Sequence, residues 1–280
     1  MAFVMKGTDV AQAKKQGIIK RVEALKERGV SPALCIIMVG DREDSHAYVI
    51  GATKALAGCG IGCHLAHYPE DISRRRLLGE IEAINQNPGY HGIIVMRPVP
   101  SAIRWEAVEG AISPAKDVDC ITAQNLAGVF KGDTDVFYPC TAKAVVDMLD
   151  HYGVNAEGKK AVVIGRSLVV GKPLAMMLLQ RNATVTICHS RTRDLAKAAS
   201  QADILVAAAG TPGLVGPDFV NENSIVLDVG INMVDGKLKG DVDFERVAPL
   251  VSMISPVPGG VGSVTTSVLM ENIVTAAEKK

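Results

Sequence analysis

Four near-continuous apolar runs in the second half of the chain constrain its fold most. They are KKAVVIG (159–165), ATVTIC (183–188), ADILVAAAG (202–210) and NSIVLDVGIN (223–232). Strands apolar on both faces must be covered on both faces. Helical segments separate the first three, so the pattern predicts a parallel sheet between helix layers. The first half alternates in the same way. Helices are expected over 8–28, 45–58 with Ser45 as N-cap, 73–87 and near 103–112. Strands are expected over 32–40, 61–68 and 91–100, the last stopped by prolines. An irregular stretch runs to Pro139, and Thr141 to His151 is helical. The fold class is therefore α/β, with two domains. The boundary falls at 142/143: residues 1–142 form one domain, 143–264 the other, and the last helix, 265–280, packs back on the first.

Composition removes several function classes. The 280 residues carry 30 Lys+Arg and 30 Asp+Glu. A neutral chain without a basic run is not built to displace counterions from nucleic acid. No apolar run reaches the roughly 18 residues of a membrane span. The start, MAFVMKGTDVAQ, lacks the pattern of a signal peptide, so a cytoplasmic location with reduced thiols is expected. The cysteines sit scattered in apolar segments. CGIGCHLAHYPE brings Cys59, Cys63, His64 and His67 together in sequence, but strand alternation splits them between faces, and no metal site is expected.

The first strand of the second half runs into GRSLVVGKP. Gly165 ends the strand, and Gly171 and Pro173 open the next helix. Such a turn lets backbone amides and the helix dipole meet a pyrophosphate; a purely structural tight turn is the alternative. The spacing is G-x-S-x-x-x-G-x-P rather than G-x-G-x-x-G. After the second strand come His189, Ser190, Arg191 and Thr192, with no carboxylate for a ribose 2′-hydroxyl. Arg166, Ser190 and Arg191 can hold a 2′-phosphate instead, which favours NADP over NAD. Otherwise Arg191 is a solvated loop residue.

GRSLVVGKP, ATVTICHSRT, SPVPGGVGSVT and PCTAKAV, with VGDREDSHAYV, AKDVD and GDVDF, resemble the methylenetetrahydrofolate dehydrogenase/cyclohydrolase family over essentially the whole chain. The resemblance implies an N-terminal α/β folate-binding catalytic domain, a C-terminal Rossmann-type NAD(P)-binding domain, a folate cleft between them, and a homodimer. Tyr48 matches the tyrosine that stacks on the pterin and aminobenzoyl part, and Asp119 the aspartate that holds the pterin. Gly260 and Val261 match the loop where pterin and nicotinamide meet. Gly165, Arg166, Ser167, Gly171, Ser190, Arg191, Ile231 and Thr265 match cofactor contacts. Ser45, Pro139, Cys140 and Thr141 also stand where the family has them.

The sequence departs from that pattern around the folate site. The family's bifunctional members carry Tyr-x-x-x-Lys on the second helix; here the fourth residue after Tyr48 is Ala52. Lys54 lies two positions on, about 200° around the helix. The family's Val-Gln-Leu-Pro-Leu-Pro is Val95-Met96-Arg97-Pro98-Val99-Pro100, so the glutamine that meets the lysine is Met96. Losing one of two hydrogen-bonded groups strands the other at about 1–3 kcal/mol; joint replacement avoids that cost. Arg97 brings a new charge, a candidate substrate contact. Cys120-Ile121-Thr122 and Ser263 are smaller departures. Hydride transfer needs mainly alignment of two rings, whereas ring-opening hydrolysis needs proton transfers that the family assigns to the lysine. The expectation is an NADP-dependent methylenetetrahydrofolate dehydrogenase with weak or absent cyclohydrolase activity. The alternatives are a repurposed one-carbon enzyme, a non-catalytic folate/NADP-binding protein, and a bifunctional enzyme in which another group replaces the lysine.

Overall fold

The computed structural model describes residues 2–279. Its chain divides into two compact units. One comprises 14–128, 135–138 and the chain from Leu269 onward; the other comprises the chain up to Ala13, 129–134 and 139–268. The expected division differs at the N-terminus. Phe3–Val4 (β1) pairs in parallel with Met253–Ile254, so the opening residues go with the second unit, not the first. A two-residue strand shows no periodicity, which is why the sequence did not reveal it.

Helix α1 (Gly7–Glu27) begins in the other unit and, from Lys14, belongs to the first-described one, where it leads into β2 (Ala33–Val39). Then come α2 (Glu43–Ala57), β3 (Gly62–Tyr68), α3 (Arg74–Gln86) and β4 (Gly92–Val95). The three strands form a parallel sheet in the order β3-β2-β4. One face packs Cys35, Ile37, Val39, Ile93 and Val95 against Leu77, Ile81 and Ile84 of α3. Leu34, Ile36 and Met38, which alternate with them, are equally buried on the other face. Ser73 caps α3 by accepting from the Arg76 amide.

Two local expectations fail here. The second helix begins at Glu43, with Arg42 at the N-cap, so Ser45 is not the cap but a buried residue of the first turn. Glu43 and Asp44 ahead of it suit the positive end of the helix dipole. The stretch before Pro139 is also less irregular than its sequence reads. After the short helix α4 (Trp105–Glu109) it holds α5 (Ala123–Lys131). Fully buried Asp117 organises the approach to α5. It accepts from the Ile121 and Thr122 amides, the Thr122 hydroxyl and the Asn125 side chain, at 2.7–2.9 Å. Buried Lys116 donates to the Ile84 and Asn87 carbonyls at the end of α3. These two adjacent residues fix the segment that carries Asp119.

The second unit continues through α6 (Cys140–His151), β5 (Lys160–Ile164), α7 (Gly171–Leu179), β6 (Thr184–Cys188) and α8 (Leu195–Ala199). It then runs through β7 (Ile204–Ala207), β8 (Ile225–Asp228), the antiparallel hairpin β9 (Asn232–Val234) and β10 (Lys237–Lys239), α9 (Phe244–Val247) and β11 (Met253–Ile254). Its six strands lie in the order β1-β11-β8-β7-β5-β6, every pair parallel. Val162, Ile164, Leu205, Ala207, Val226 and Ile254 share one buried cluster on one face. The last helix, α10 (Val261–Glu278), starts earlier than expected. Among the described residues no helix is long and apolar enough to cross a membrane.

Replacing Asp117 by Ala leaves several buried donors without an acceptor. We expect Asp117→Ala to cost about 2–4 kcal/mol in urea denaturation, and Lys54→Ala, on an exposed face, to stay within about 0.5 kcal/mol.

Candidate functional site

The turn after β5 is shaped for close backbone approach. Gly165 has φ +138, and a Cβ there would lie 2.2 Å from the Ala208 carbonyl oxygen. A Cβ on Gly171 would lie 2.0 Å from the Gly165 carbonyl oxygen. Only glycine satisfies both positions, and the turn delivers the chain into the nine-residue helix α7. Ser167 braces the turn: its hydroxyl accepts from the Val170 amide and its carbonyl from the Lys172 amide. Arg166 and Ser167 are exposed beside it.

The turn after β6 closes on itself. The His189 amide donates to the Thr192 hydroxyl, the Thr192 amide returns to the His189 carbonyl, and the Arg191 amide donates to His189 Nδ1. This leaves Ser190 and Arg191 exposed, and no acidic residue stands at positions 189–192. A glycine cradle at a helix N-terminus, flanked by a Ser/Arg turn without a carboxylate, fits a dinucleotide bearing a 2′-phosphate.

Two strands along the same carboxyl edge lies a cavity of about 230 Å³. Its walls include Asp228, Ile231, Leu238, Val257, Gly260 and Ser263. Gly260 precedes α10; a Cβ on it would meet the Pro256 carbonyl oxygen at 2.2 Å. Gly7 is equally constrained, since its Cβ would fall 1.9 Å from the Gly260 carbonyl oxygen, while its amide donates to Gly259. Val261 is buried, and the half-buried Thr265 donates its hydroxyl to the Val261 carbonyl. Ser263, where the family pattern has proline, donates its amide to the Gly260 carbonyl at 3.0 Å, a bond proline cannot make.

Sequence reasoning missed the groups that hold these loops. Asp228, at the end of β8, accepts from the Gly230, Asp241 and Val242 amides at 2.9–3.0 Å. Asp241 accepts from the Ala209, Gly210 and Thr211 amides and from the Asn232 side chain at 2.6–2.9 Å. Both are buried. Burial pushes the Asp228 carboxyl up to about 6, against the downward pull of the three amides. The available signal was a pairing of glycine and aspartate, Asp228-Val229-Gly230 and Gly240-Asp241. A Cβ on Gly230 would strike Asp241, and one on Gly240 would strike Asp228.

In the other unit, Tyr48 and Ala52 lie one turn apart on α2. Tyr48 is 44% exposed and Ala52 is 6% exposed. Lys54 is on an exposed face, so it does not take Ala52's place. Met96 is half-buried and continues β4 by donating its amide to the Ile37 carbonyl. Asp119 is half-buried behind the Asp117 brace. Cys120 follows at φ +56, a conformation that favours glycine, and burial pushes its thiol up. Arg97, the candidate substrate contact, is exposed and stacks on a neighbouring aromatic ring. Its guanidinium lies 4.3 Å from the Trp105 ring centroid, and Trp105 packs on the cluster that contains Val95 and α3. Strand alternation directs Met96 to the opposite face.

The Cys/His run is dispersed by its surroundings. Cys59 is buried, Cys63 accepts from the Thr53 hydroxyl, His64 stacks on Tyr90, and His67 Nε2 lies 2.9 Å from the Gly40 carbonyl. Among the described residues no group of three or more His, Cys, Asp or Glu could hold a metal ion.

Residues 5–119 match the model of the tetrahydrofolate dehydrogenase/cyclohydrolase catalytic domain, and residues 139–280 that of its NAD(P)-binding domain. The "Bifunctional protein FolD" of Alkaliphilus oremlandii is 46% identical over 99% of this chain and 97% of its own. The crystal structure of the bifunctional FolD enzyme from Campylobacter jejuni superposes with TM-score 0.98 at 39% identity, covering 100% of this chain and 99% of the other. That of the Trypanosoma brucei methylenetetrahydrofolate dehydrogenase-cyclohydrolase, complexed with NADP cofactor and inhibitor, does so at 0.93 and 36%, covering 99% and 98%. With both domain models matched and relatives aligned end to end, the chain belongs to the tetrahydrofolate dehydrogenase/cyclohydrolase family.

Proposed function

We propose that this chain oxidises 5,10-methylenetetrahydrofolate to the 5,10-methenyl form with NADP as acceptor, and that its cyclohydrolase activity is weak or absent. The observation that carries the second half is the nearly closed position of Ala52, one helical turn after Tyr48, with no amine there and Lys54 turned to solvent. Homodimeric assembly and a cytoplasmic location extend this reading from the family resemblance.

The residues divide the work. The Gly165–Gly171 turn and the α7 N-terminus receive the pyrophosphate, and Arg166, Ser190 and Arg191 take the 2′-phosphate. When bound, NADP supplies a nicotinamide ring that accepts a hydride from the folate C1 methylene. Tyr48 offers an aromatic face to the folate, and Asp119 a carboxylate to its pterin. Alignment by these groups is the main demand of the dehydrogenase step, because the folate nitrogens stabilise the cation that forms. Hydrolysis of that cation requires a group able to take and return protons near the methenyl carbon. Ala52 and Met96 carry none.

A bifunctional enzyme is the second reading, favoured by the dual activity for which relatives such as the Alkaliphilus protein are named. With methylenetetrahydrofolate and NADP, we expect absorbance of the methenyl product to accumulate and then decay at the spontaneous rate. Decay faster than the enzyme-free control overturns the proposal in favour of the second reading. The double variant Ala52→Lys, Met96→Gln is expected to accelerate methenyl hydrolysis by about 10²-fold. Arg191→Ala is expected to raise KM for NADP about tenfold and leave that for NAD unchanged, as steady-state kinetics with each cofactor will show.

A further inference from the structure

The cavity at the end of β8 has an electrostatic property that its role as a loop junction does not require. Asp228 lines it and is only 3% exposed. The carboxylate is held by the backbone amides of Gly230, Asp241 and Val242, and its ion-pair partner is no lysine or arginine among the described residues. Asp241, the charged group that faces it, is also a carboxylate, fully buried and likewise held by amides and the Asn232 side chain. Ser255, just after β11, accepts from the Asp228 amide through its hydroxyl oxygen and brings no charge. The lining of this cavity is mostly apolar, and in its wall stands a buried carboxylate that pairs with no lysine or arginine among the described residues; Lys237 and Lys239, on either side of the lining Leu238, are exposed.

Sheet order indicates what faces that wall, on the reading that a dinucleotide binds along this edge. The pyrophosphate turn follows β5, and the Ser190/Arg191 turn follows β6, on one side of it. The adenosine half therefore runs toward β6. The nicotinamide half must run the other way, past β7 to β8, about 10 Å from β5 at the usual strand spacing. That is the position of the cavity. The oxidised nicotinamide ring carries a positive charge and the reduced ring none.

We propose that Asp228 makes this site discriminate between the two redox forms of the cofactor, holding the cationic oxidised ring more tightly than the neutral reduced one. A charge in a low-dielectric wall acts on a cation a few ångströms away far more strongly than it would through water. The selectivity favours loading with the oxidised cofactor and release of the reduced one. It belongs to this carboxylate, separate from the contacts to phosphate and ribose that both forms share.

Binding of NADP+ and NADPH to the whole protein tests this, by calorimetry for the first and by the fluorescence of the second. The wild type is expected to bind NADP+ more tightly than the shared contacts alone provide. Asp228→Asn should lower the affinity ratio, NADP+ over NADPH, about tenfold, with the loss falling on NADP+. Equal weakening of both forms means that Asp228 only shapes the loops, and overturns the proposal. Should that variant fold poorly, the wild type can be titrated from about pH 8 to 5, through the range in which the Asp228 carboxyl takes up a proton. Protonation of the cofactor phosphates and of residues around them affects both forms alike and cancels in the ratio. A ratio that falls toward low pH supports the proposal; one that stays flat overturns it. Failure of the wild type to bind either form overturns the dinucleotide reading itself, a result distinct from equal binding of both.

Discussion

Backbone amides that leave the sheet edge still need acceptors, and in this protein buried aspartates supply them. Strands β7 and β8 end in loops whose N–H groups point inward, beyond the reach of the sheet ladder. An unpaired buried amide costs about 1–3 kcal/mol, so a loop lacking partners would not keep one conformation. Asp228 and Asp241 between them accept from the amides of residues 209–211, 230, 241 and 242. The Asp241 amide itself donates to Asp228, which ties the two sets together. Asp117 does the same work in the other unit, ahead of α5. In each case a compact carboxylate replaces a stretch of secondary structure, and the neighbouring glycine or tight turn makes room for it.

The folate side of the chain follows a different logic. Polar groups in a closed position are tolerable only in satisfied sets. A lysine without its glutamine, or a glutamine without its lysine, would leave a buried group unsatisfied. Ala52 and Met96 bring neither group, and Ala52 is a nearly closed apolar position one turn from an exposed tyrosine. In the cofactor half the constraint is steric: the glycines face neighbouring carbonyls that a Cβ would meet at about 2 Å, which leaves no room for a side chain.

How much of this was readable depended on how local the determining interaction is. The four strands of the second half stood out because continuous apolar runs have few other uses in a chain of this size. Their ends were less clear: the run to Asn232 reads as one strand, yet β8 stops at Asp228 because the chain turns at Gly230 to meet Asp241. Helix α5 was hidden because its start depends on Asp117, six residues upstream, rather than on a cap next to it. Ser45 looked like a cap by residue type, but Arg42 ahead of an acidic first turn took that place. Strand alternation predicted that Arg97 would part from Met96, and its stacking on Trp105 accords with that. The Gly165–Gly171 turn was legible through its motif, and its geometry requires glycine at both ends, whereas the roles of Tyr48 and Asp119 rest on the family resemblance alone. Asp228 was in view in the fourth apolar run and Asp241 in GDVDF, but acceptors of backbone amides leave no pattern of their own in a sequence.

The pairing of β1 with β11 has a consequence for the order in which this molecule is made. Residues 3 and 4 complete an edge of the sheet only by joining residues 253 and 254. A ribosome releases the first pair long before the second exists, so the opening segment must wait, unpaired, through most of translation. Linking ends so distant in sequence is slow, because loop-closure entropy is lost before the contact repays it. Closure of that edge is therefore a late, post-synthetic event. Until then β11 is an open parallel edge, able to accept a strand from another copy when nascent chains are crowded.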